Sequence, residues 1–428
     1  MSLINPLAKS INVGFISFRF QGTDGVSLET SKWADVLQEM GHSCFYFSGL
    51  SDRPAEISMV VEEAHFLHPE NRDYYHKLFN SLQRTEDQTR WIHAKREFFK
   101  EQLRMFIGEF NIELLIPQNV LSFPLNIPLS MALTELIAET LIPTIAHHHD
   151  FTWERKPLLV NSIWDYIYMA LPPNLPSVQH VVINSSASHQ LARRVGVSST
   201  IVPNVMDFEN PPPLADDYSA DMRDSLGIDA DELFILQPTR VVQRKGIEHA
   251  IELVSRLGRK ARLVISHASG DDGYQYEARV KNFADQMGVQ AIFSSERFDE
   301  NRGTTAEGGK IYSLSDAYPN ADLVTYPSLI EGFGNAFLEA LYFRKPIVVN
   351  NYAIYATDIR PKGFKVIEFD DYITQATVEE TLRILDDREL QDELCTLNYA
   401  LAVRHFSYSV LRNKLLVLLS AAFGLNGF

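Results

Sequence analysis

Short apolar runs of three to seven residues alternate with stretches in which apolar side chains return every three or four positions, along nearly the whole 428-residue chain. A strand covered on both faces of a parallel sheet reads as a continuous apolar run, and a helix lying on that sheet reads as an apolar stripe. The runs at 12–18, 43–47, 114–117, 144–147, 180–184 and 200–202 form one set of strands, and those at 233–237, 262–266, 291–294, 323–326, 346–350 and 364–369 a second. Strand and helix alternating twice predicts an α/β protein of two Rossmann-like domains, each a parallel sheet with helices on both faces. Between the sets, Val205 runs into Pro211-Pro212-Pro213 and an acidic stretch ending near Asp224, a stiff surface connection of the kind found at domain boundaries. The chain is therefore divided into residues 1–205, 206–405 and a final helical segment, 406–428, that is strongly apolar from Tyr408 to Phe423.

Composition narrows the function. The chain exceeds what one core organises, and 45% hydrophobic with 22% charged residues is the balance of an ordinary globular protein, which excludes a disordered one. A net charge of −16 disfavours nucleic acid and anionic membrane partners and favours a small soluble ligand. The two cysteines, Cys44 and Cys395, lie too far apart in sequence for a metal-ligand spacing and fit a reducing compartment. No secretion signal and no apolar run of membrane-spanning length is visible, so a cytoplasmic protein is expected. The basic and aromatic stretch 90–104 is the nearest thing to a membrane-binding face, and it reads as a packed helix with a solvated side.

The candidate chemistry is concentrated at Pro327-Ser328-Leu329-Ile330-Glu331-Gly332-Phe333-Gly334-Asn335-Ala336-Phe337-Leu338-Glu339. A strand ends at a Pro-Ser turn, Gly332 and Gly334 let backbone N–H groups approach a ligand, and a helix follows whose N-terminal end favours a diphosphate. Glu331 in the loop and Glu339 two turns along are on the order of 10 Å apart, a spacing suited to a sugar on one side of a diphosphate and a ribose on the other; carboxylates accept well from such hydroxyls. Arg240 and Lys245, five apart between a strand and a helix, form a diphosphate clamp of planar fork and point charge. Gln21-Gly22-Thr23-Asp24-Gly25-Val26 is a strand-to-helix glycine loop that could cradle phosphate or sugar or be a plain tight turn, and it lacks the Gly-x-Gly-x-x-Gly of a dinucleotide site. In His147-His148-His149-Asp150, neighbours on a strand point to opposite faces, so only His147 and His149 share one, and nothing completes a tetrahedral metal set. Gln118 and Asn119 follow the 114–117 strand and offer amides or loop caps. The segment 297–310, polar and rich in glycine, reads as a loop that ligand orders.

The Glu-x7-Glu spacing within Glu331-Gly332-Phe333-Gly334, preceded by Pro-Ser and followed by Lys345-Pro346-Ile347-Val348-Val349, resembles the signature of the retaining glycosyltransferases of family 4, which have the GT-B fold. The chain departs from that pattern at Arg344 and at 350–355, where glycines are usual, which marks a subfamily. The resemblance implies two domains facing a central cleft, with the last helix crossing back onto the first. It implies a UDP- or GDP-linked sugar donor and no cofactor or metal. Arg240 and Lys245 would stabilise charge on the leaving diphosphate, Glu331 would orient the donor sugar and Glu339 would hold the ribose. Gly332, Phe333, Gly334 and Asn335 would line the donor. His149, with His147 as the competing register, would face the transferred sugar; Gly25 would face the donor diphosphate and the acceptor, and Asp150 and Gln118 would bind substrate. The expected reaction moves a hexose, with retained configuration, to a small soluble sugar, sugar acid or compatible-solute precursor; Trp153, Glu154 and Arg155, which lie beyond the family's minimal motif, either shape the acceptor pocket or are structural, and an anionic acceptor would meet Arg155 or Lys156. The alternatives are transfer to a lipid or polysaccharide at a membrane surface, and an inactive regulator that binds sugar nucleotides.

Overall fold

In a computed structural model that describes residues 10–22, 24–212, 215–269 and 274–424, the chain divides into one unit made of residues 1–203 with 408–428 and a second of 204–407. The first unit contains a parallel sheet of β1 (Asn12–Ile16), β2 (Ser43–Ser48), β3 (Ser58–Val60), β4 (Leu114–Pro117), β5 (Thr144–His148), β6 (Val178–Val182) and β7 (Ser199–Ile201), in the order β3-β2-β1-β4-β5-β6-β7. The second contains β8 (Leu233–Gln237), β9 (Ala261–Ile265) and β10 (Gln290–Phe293). After a two-stranded hairpin, β11 (Gly303–Thr304) with β12 (Lys310–Ile311), come β13 (Leu323–Tyr326), β14 (Ile347–Asn350) and β15 (Ile367–Phe369). Its parallel sheet runs β10-β9-β8-β13-β14-β15. Each order reverses beside the first strand of its unit, between β1 and β4 and between β8 and β13, and that reversal is where open α/β sheets bind ligands, beyond the carboxyl ends of the strands.

The buried strands are apolar on both faces, and Val13, Phe15, Leu115, Ile116, Leu263, Val264, Leu323 and Val324 are fully inaccessible. Helix Tyr408–Ala422 is part of the first unit: Leu411, Leu415, Leu418 and Leu419 are buried, Gln179 Nε2 donates to the Leu418 carbonyl at 2.9 Å, and Arg412 pairs with Glu39. That contact accounts for the apolar end of the sequence. Helix Glu86–Glu109 is a packed helix; its cations are taken up at its surface, with Lys100 paired to Glu135 and Glu139 and Arg96 to Glu135.

Two local expectations need correction. β3 is a short half-exposed edge strand with too little apolar sequence to stand out. Residues 297–310 form an ordered hairpin held by the protein itself. Arg297 Nε donates to the Lys310 carbonyl at 2.7 Å, Arg302 is forked on Asp216 at 2.7 and 3.0 Å, and Tyr218 Oη donates to both Gly303 and Ile311 carbonyls. The partners that order it come from residues 216–225, remote in sequence, which local polarity could not reveal.

Candidate active site

In the second unit, two loops are interlocked by a glycine. Gly246 has φ of +59°, and a Cβ there would lie 2.4 Å from the Pro327 carbonyl oxygen, so the turn Gln243–Lys245 can approach the loop after β13 only with glycine next to it. Leu329 N–H donates to the Arg244 carbonyl at 2.8 Å across the same junction. The consequence is an ion cluster: Lys245 Nζ donates to Glu331 Oε1, and Arg244 Nη1 donates to Glu331 Oε2 at 3.1 Å. Lys245 and Glu331 are nearly buried, and the ammonium sits 5.4 Å from the Tyr326 ring centroid. Burial opposes charge on both groups. It holds the Lys245 ammonium below the usual lysine range, whereas at Glu331 the charges of Lys245 and Arg244 outweigh it and leave the carboxyl below the usual carboxylate range.

Arg240 stands exposed, its charge acting on Lys245 and on His267. Glu339 is held differently from Glu331: Tyr318 Oη donates to its Oε2 at 2.7 Å, and the Tyr318 ring is stacked on Phe343 at 5.0 Å. Gly332 is exposed, and Gly334 has φ of +129° with Tyr352 Oη and Tyr326 where a Cβ would go. Two of the proposed donor-lining side chains are otherwise engaged. Phe333 turns into the core against Phe406, with only its carbonyl used, as an acceptor for Tyr352 Oη at 2.6 Å. The Asn335 side chain accepts from Asn204 Nδ2 at 2.7 Å.

Two residues of this cluster escaped the sequence reading. The family spacing selects Arg240 and Lys245 and leaves out Arg244, although a single turn carrying Arg-Lys places both cations together. His267 follows β9, its Nδ1 2.8 Å from Ser266 Oγ; burial, with Arg240 and Lys245 adding, pushes it down to about 4.

In the first unit, the ends of β4 and β5 lie side by side and bring Gln118, Asn119 and the histidines together. Asn119 takes a left-handed φ of 63°, and its Oδ1 accepts from the backbone N–H of His149 at 2.8 Å and of Asp150 at 3.0 Å. His149 Nε2 lies 2.9 Å from Gln118 Oε1. The His147 ring is stacked on Trp33 at 4.3 Å and lies 4.2 Å from that of His149, while His148, on the other face, bonds His180 at 2.9 Å. Burial pushes His149 down to about 4 despite Asp150 and Asp24 pulling it up, so its ring is neutral at pH 7. Asp24 caps the helix Gly25–Glu39, accepting from the Val26 and Ser27 N–H groups at 3.1 and 3.2 Å, and Gly25 is exposed at its start. Asp150 accepts from Arg155 at 2.6 Å, which neutralises that arginine at the surface. Trp153 is stacked on Phe151, and Glu154 accepts from the Phe151 N–H at 2.8 Å, both structural uses. Among the described residues, no three His, Cys, Asp or Glu side chains are grouped as metal ligands, and no helix is long and apolar enough to cross a membrane.

Residues 306–396, which contain the Lys245 partner Glu331 and also Glu339, match the family model described as glycosyl transferases group 1. The chain is 31% identical over 440 residues to a mannosylglucosylglycerate synthase of Thermotoga maritima, covering 95% of this chain and 99% of that one. It is 30% identical to a mannosylglucosylglycerate synthase of Petrotoga mobilis, with 83% and 86% covered. A glycosyltransferase from Rickettsia africae ESF-5 superposes with a TM-score of 0.68 over 97% of this chain and 99% of that one, at 14% identity, a likeness of fold alone. Sequence identity that spans almost the whole of both chains, on two parallel α/β sheets with a group 1 match in the second, makes this chain a glycosyltransferase of the GT-B fold that belongs to the family of these synthases.

Proposed function

We propose that the protein is a retaining hexosyltransferase of family 4. It takes a hexose from a UDP- or GDP-linked donor and, without a metal ion, places it on a small soluble acid acceptor of the glucosylglycerate kind, in the cytoplasm. The observation that carries the reading is the Lys245–Glu331–Arg244 cluster, cations and a carboxylate held by interlocked loops at the switch point of the second sheet. The name of the two synthase relatives supplies the acceptor: a mannosylglucosylglycerate is reached by adding a mannosyl group to glucosylglycerate.

The chemistry follows from charge. As the anomeric carbon–phosphate oxygen bond breaks, negative charge grows on the diphosphate, and Lys245 with Arg240 and Arg244 compensates it where a divalent ion would otherwise do so. The acceptor oxygen bonds to the anomeric carbon on the face the phosphate leaves, and the leaving phosphate oxygen takes the acceptor proton. Glu331 accepts from a donor-sugar hydroxyl, Glu339 from ribose hydroxyls, and neutral His149 offers a hydrogen bond without a charge. The test is product formation from GDP-mannose or UDP-glucose with glucosylglycerate, anomeric configuration read by NMR, with and without EDTA. An inverted product overturns retention. Loss of activity on chelation, restored by Mg²⁺, gives a metal the role assigned to the cations.

The different partners of the two glutamates separate their roles. Glu331→Ala should slow transfer by about 10²-fold, the size expected for one polar group acting at the transition state. Binding of the free nucleoside diphosphate should hold or tighten, because the ground-state protein already pairs that carboxylate with Lys245 and Arg244, and its loss releases both cations. Glu339→Ala should instead weaken diphosphate binding about tenfold, the value of roughly one charge-assisted hydrogen bond. Calorimetric titration of both variants decides it; the reverse pattern means the roles are exchanged.

A further inference from the structure

We propose that Arg19 and His65, in the first unit, form the subsite that binds the carboxylate of the acceptor, a role resting on the acid acceptor proposed above. Arg19 lies in the segment that extends β1 past its carboxyl end: Phe20 N–H donates to the Leu50 carbonyl at 2.8 Å, and Gly49 N–H to that of Phe18 at 3.1 Å. Its Nη2 donates to Asp24 Oδ2 at 3.1 Å, which ties it to the cap of the Gly25 helix, and Asp24 in turn acts on His149. The arginine is thus one residue removed from the histidine assigned to the transferred sugar.

Arg19 and His65 meet on Phe66. The guanidinium carbon is 5.3 Å from the Phe66 ring centroid, the His65 ring 4.5 Å from it, and the Arg19 charge acts on His65. The imidazole tautomer is fixed by the backbone: Leu67 N–H donates to Nδ1 at 3.2 Å, so neutral His65 carries its proton on Nε2. That Nε2 and the Arg19 Nε are both shielded from solvent and without a hydrogen-bond partner. Two side chains packed on the same ring therefore each leave one buried donor unused, which native proteins rarely do without a ligand or water to supply. The complementary group accepts only, carries negative charge and has two oxygens, and a carboxylate has all three properties.

The segment is built to hold this arrangement. A Cβ on Gly49 would fall 1.9 Å from the His65 backbone nitrogen, so only glycine lets β2 and residue 65 approach; Asn71 Nδ2 donates to the His65 and Phe66 carbonyls at 3.4 Å and to that of Leu125 at 3.0 Å. Asp24 does not cancel the site, because it engages Nη2 alone and shares its oxygens with the Val26 and Ser27 N–H groups and the Ser27 hydroxyl. The Arg19 side chain remains 32% exposed, whereas Arg155, the arginine that sequence order suggests, is already spent on Asp150.

The experiment compares KM for glucosylglycerate with KM for glucosylglycerol, the same glycoside without the carboxylate, in the wild type, Arg19→Gln, Arg19→Lys and His65→Leu. The wild type is expected to favour the acid at least tenfold. Arg19→Gln should abolish that preference, His65→Leu should reduce it severalfold, and Arg19→Lys should retain part of it through charge alone. Both unfolding transitions kept at their wild-type positions, with a nucleoside diphosphate still stabilising the second unit, show that the fold and the donor side are intact. An acid preference unchanged in Arg19→Gln and His65→Leu overturns the subsite. Wild-type transfer to both acceptors with equal KM overturns it too while leaving the proposed function standing, and wild-type transfer to neither overturns that function itself.

Discussion

Lys245→Ala is expected to lower kcat by about 10³-fold, the largest catalytic effect of any single substitution in the second unit. A fixed cation at the position where charge develops stabilises the transition state by about 3–4 kcal/mol when water is excluded and nothing must reorganise, and Lys245 is the cation here that is almost fully buried. Arg240 is exposed and Arg244 about one-third so, which weakens the charge that either can bring to bear. Removing the lysine also strands part of Glu331, leaving a buried carboxylate with Arg244 alone, at a cost of a few kcal/mol of stability. Lys245→Arg separates the effects, since it keeps a charge for Glu331 while changing its geometry at the diphosphate. Steady-state kinetics with a thermal melt on each variant is the measurement. Activity of Lys245→Ala within tenfold of wild type would remove Lys245 from the reaction.

Much of this arrangement was readable in advance, and the reasons differ between parts. The parallel strands stand out because burial on both faces demands continuous apolar sequence, and β4, β8 and β13 begin and end where their apolar runs do. β6 begins two residues earlier than its apolar pattern, at Val178, because its pairing with β5 and not its own hydrophobicity sets the start. Lys245 and Glu331 were visible as motif residues. Their direct pairing was not, since it depends on Gly246 meeting Pro327, a contact between loops 81 residues apart in sequence. Phe333 shows the converse limit: a residue inside a glycine-rich loop can point its side chain into the core, and alternation of glycine and aromatic residues says nothing about which way. The split of the histidines followed from strand geometry, since His147 and His149 do share a face and His148 does not. The partner that occupies the opposite face, His180, comes from a different strand and could not be assigned from the His-His-His run.

Those histidines also set the protein's response to acid. Burial holds His149 and His180 near 4 and leaves His147 and His148 well below their ordinary 6.5. A histidine whose pKa is lowered by folding binds its proton more readily when unfolded, so its contribution to stability is complete above pH 6.5 and is lost as pH falls from 6.5 toward 4. The displacement at His149 and at His180 is worth about 3 kcal/mol each, a large fraction of the 5–15 kcal/mol typical of a domain. The first unit holds all four of these groups, whereas in the second His267 alone is held near 4, so on acidification the first unit is expected to unfold at a higher pH than the second. Denaturant melts from pH 7.5 to 4.5 should show the first transition moving steeply and the second little. His180→Leu should flatten that dependence by about one proton, and it should lower stability at pH 7 by about 1–3 kcal/mol, because His148 Nε2 loses its buried partner. A first transition that stays constant between pH 7 and 5 would mean that these rings are hydrated or otherwise charged in the folded protein.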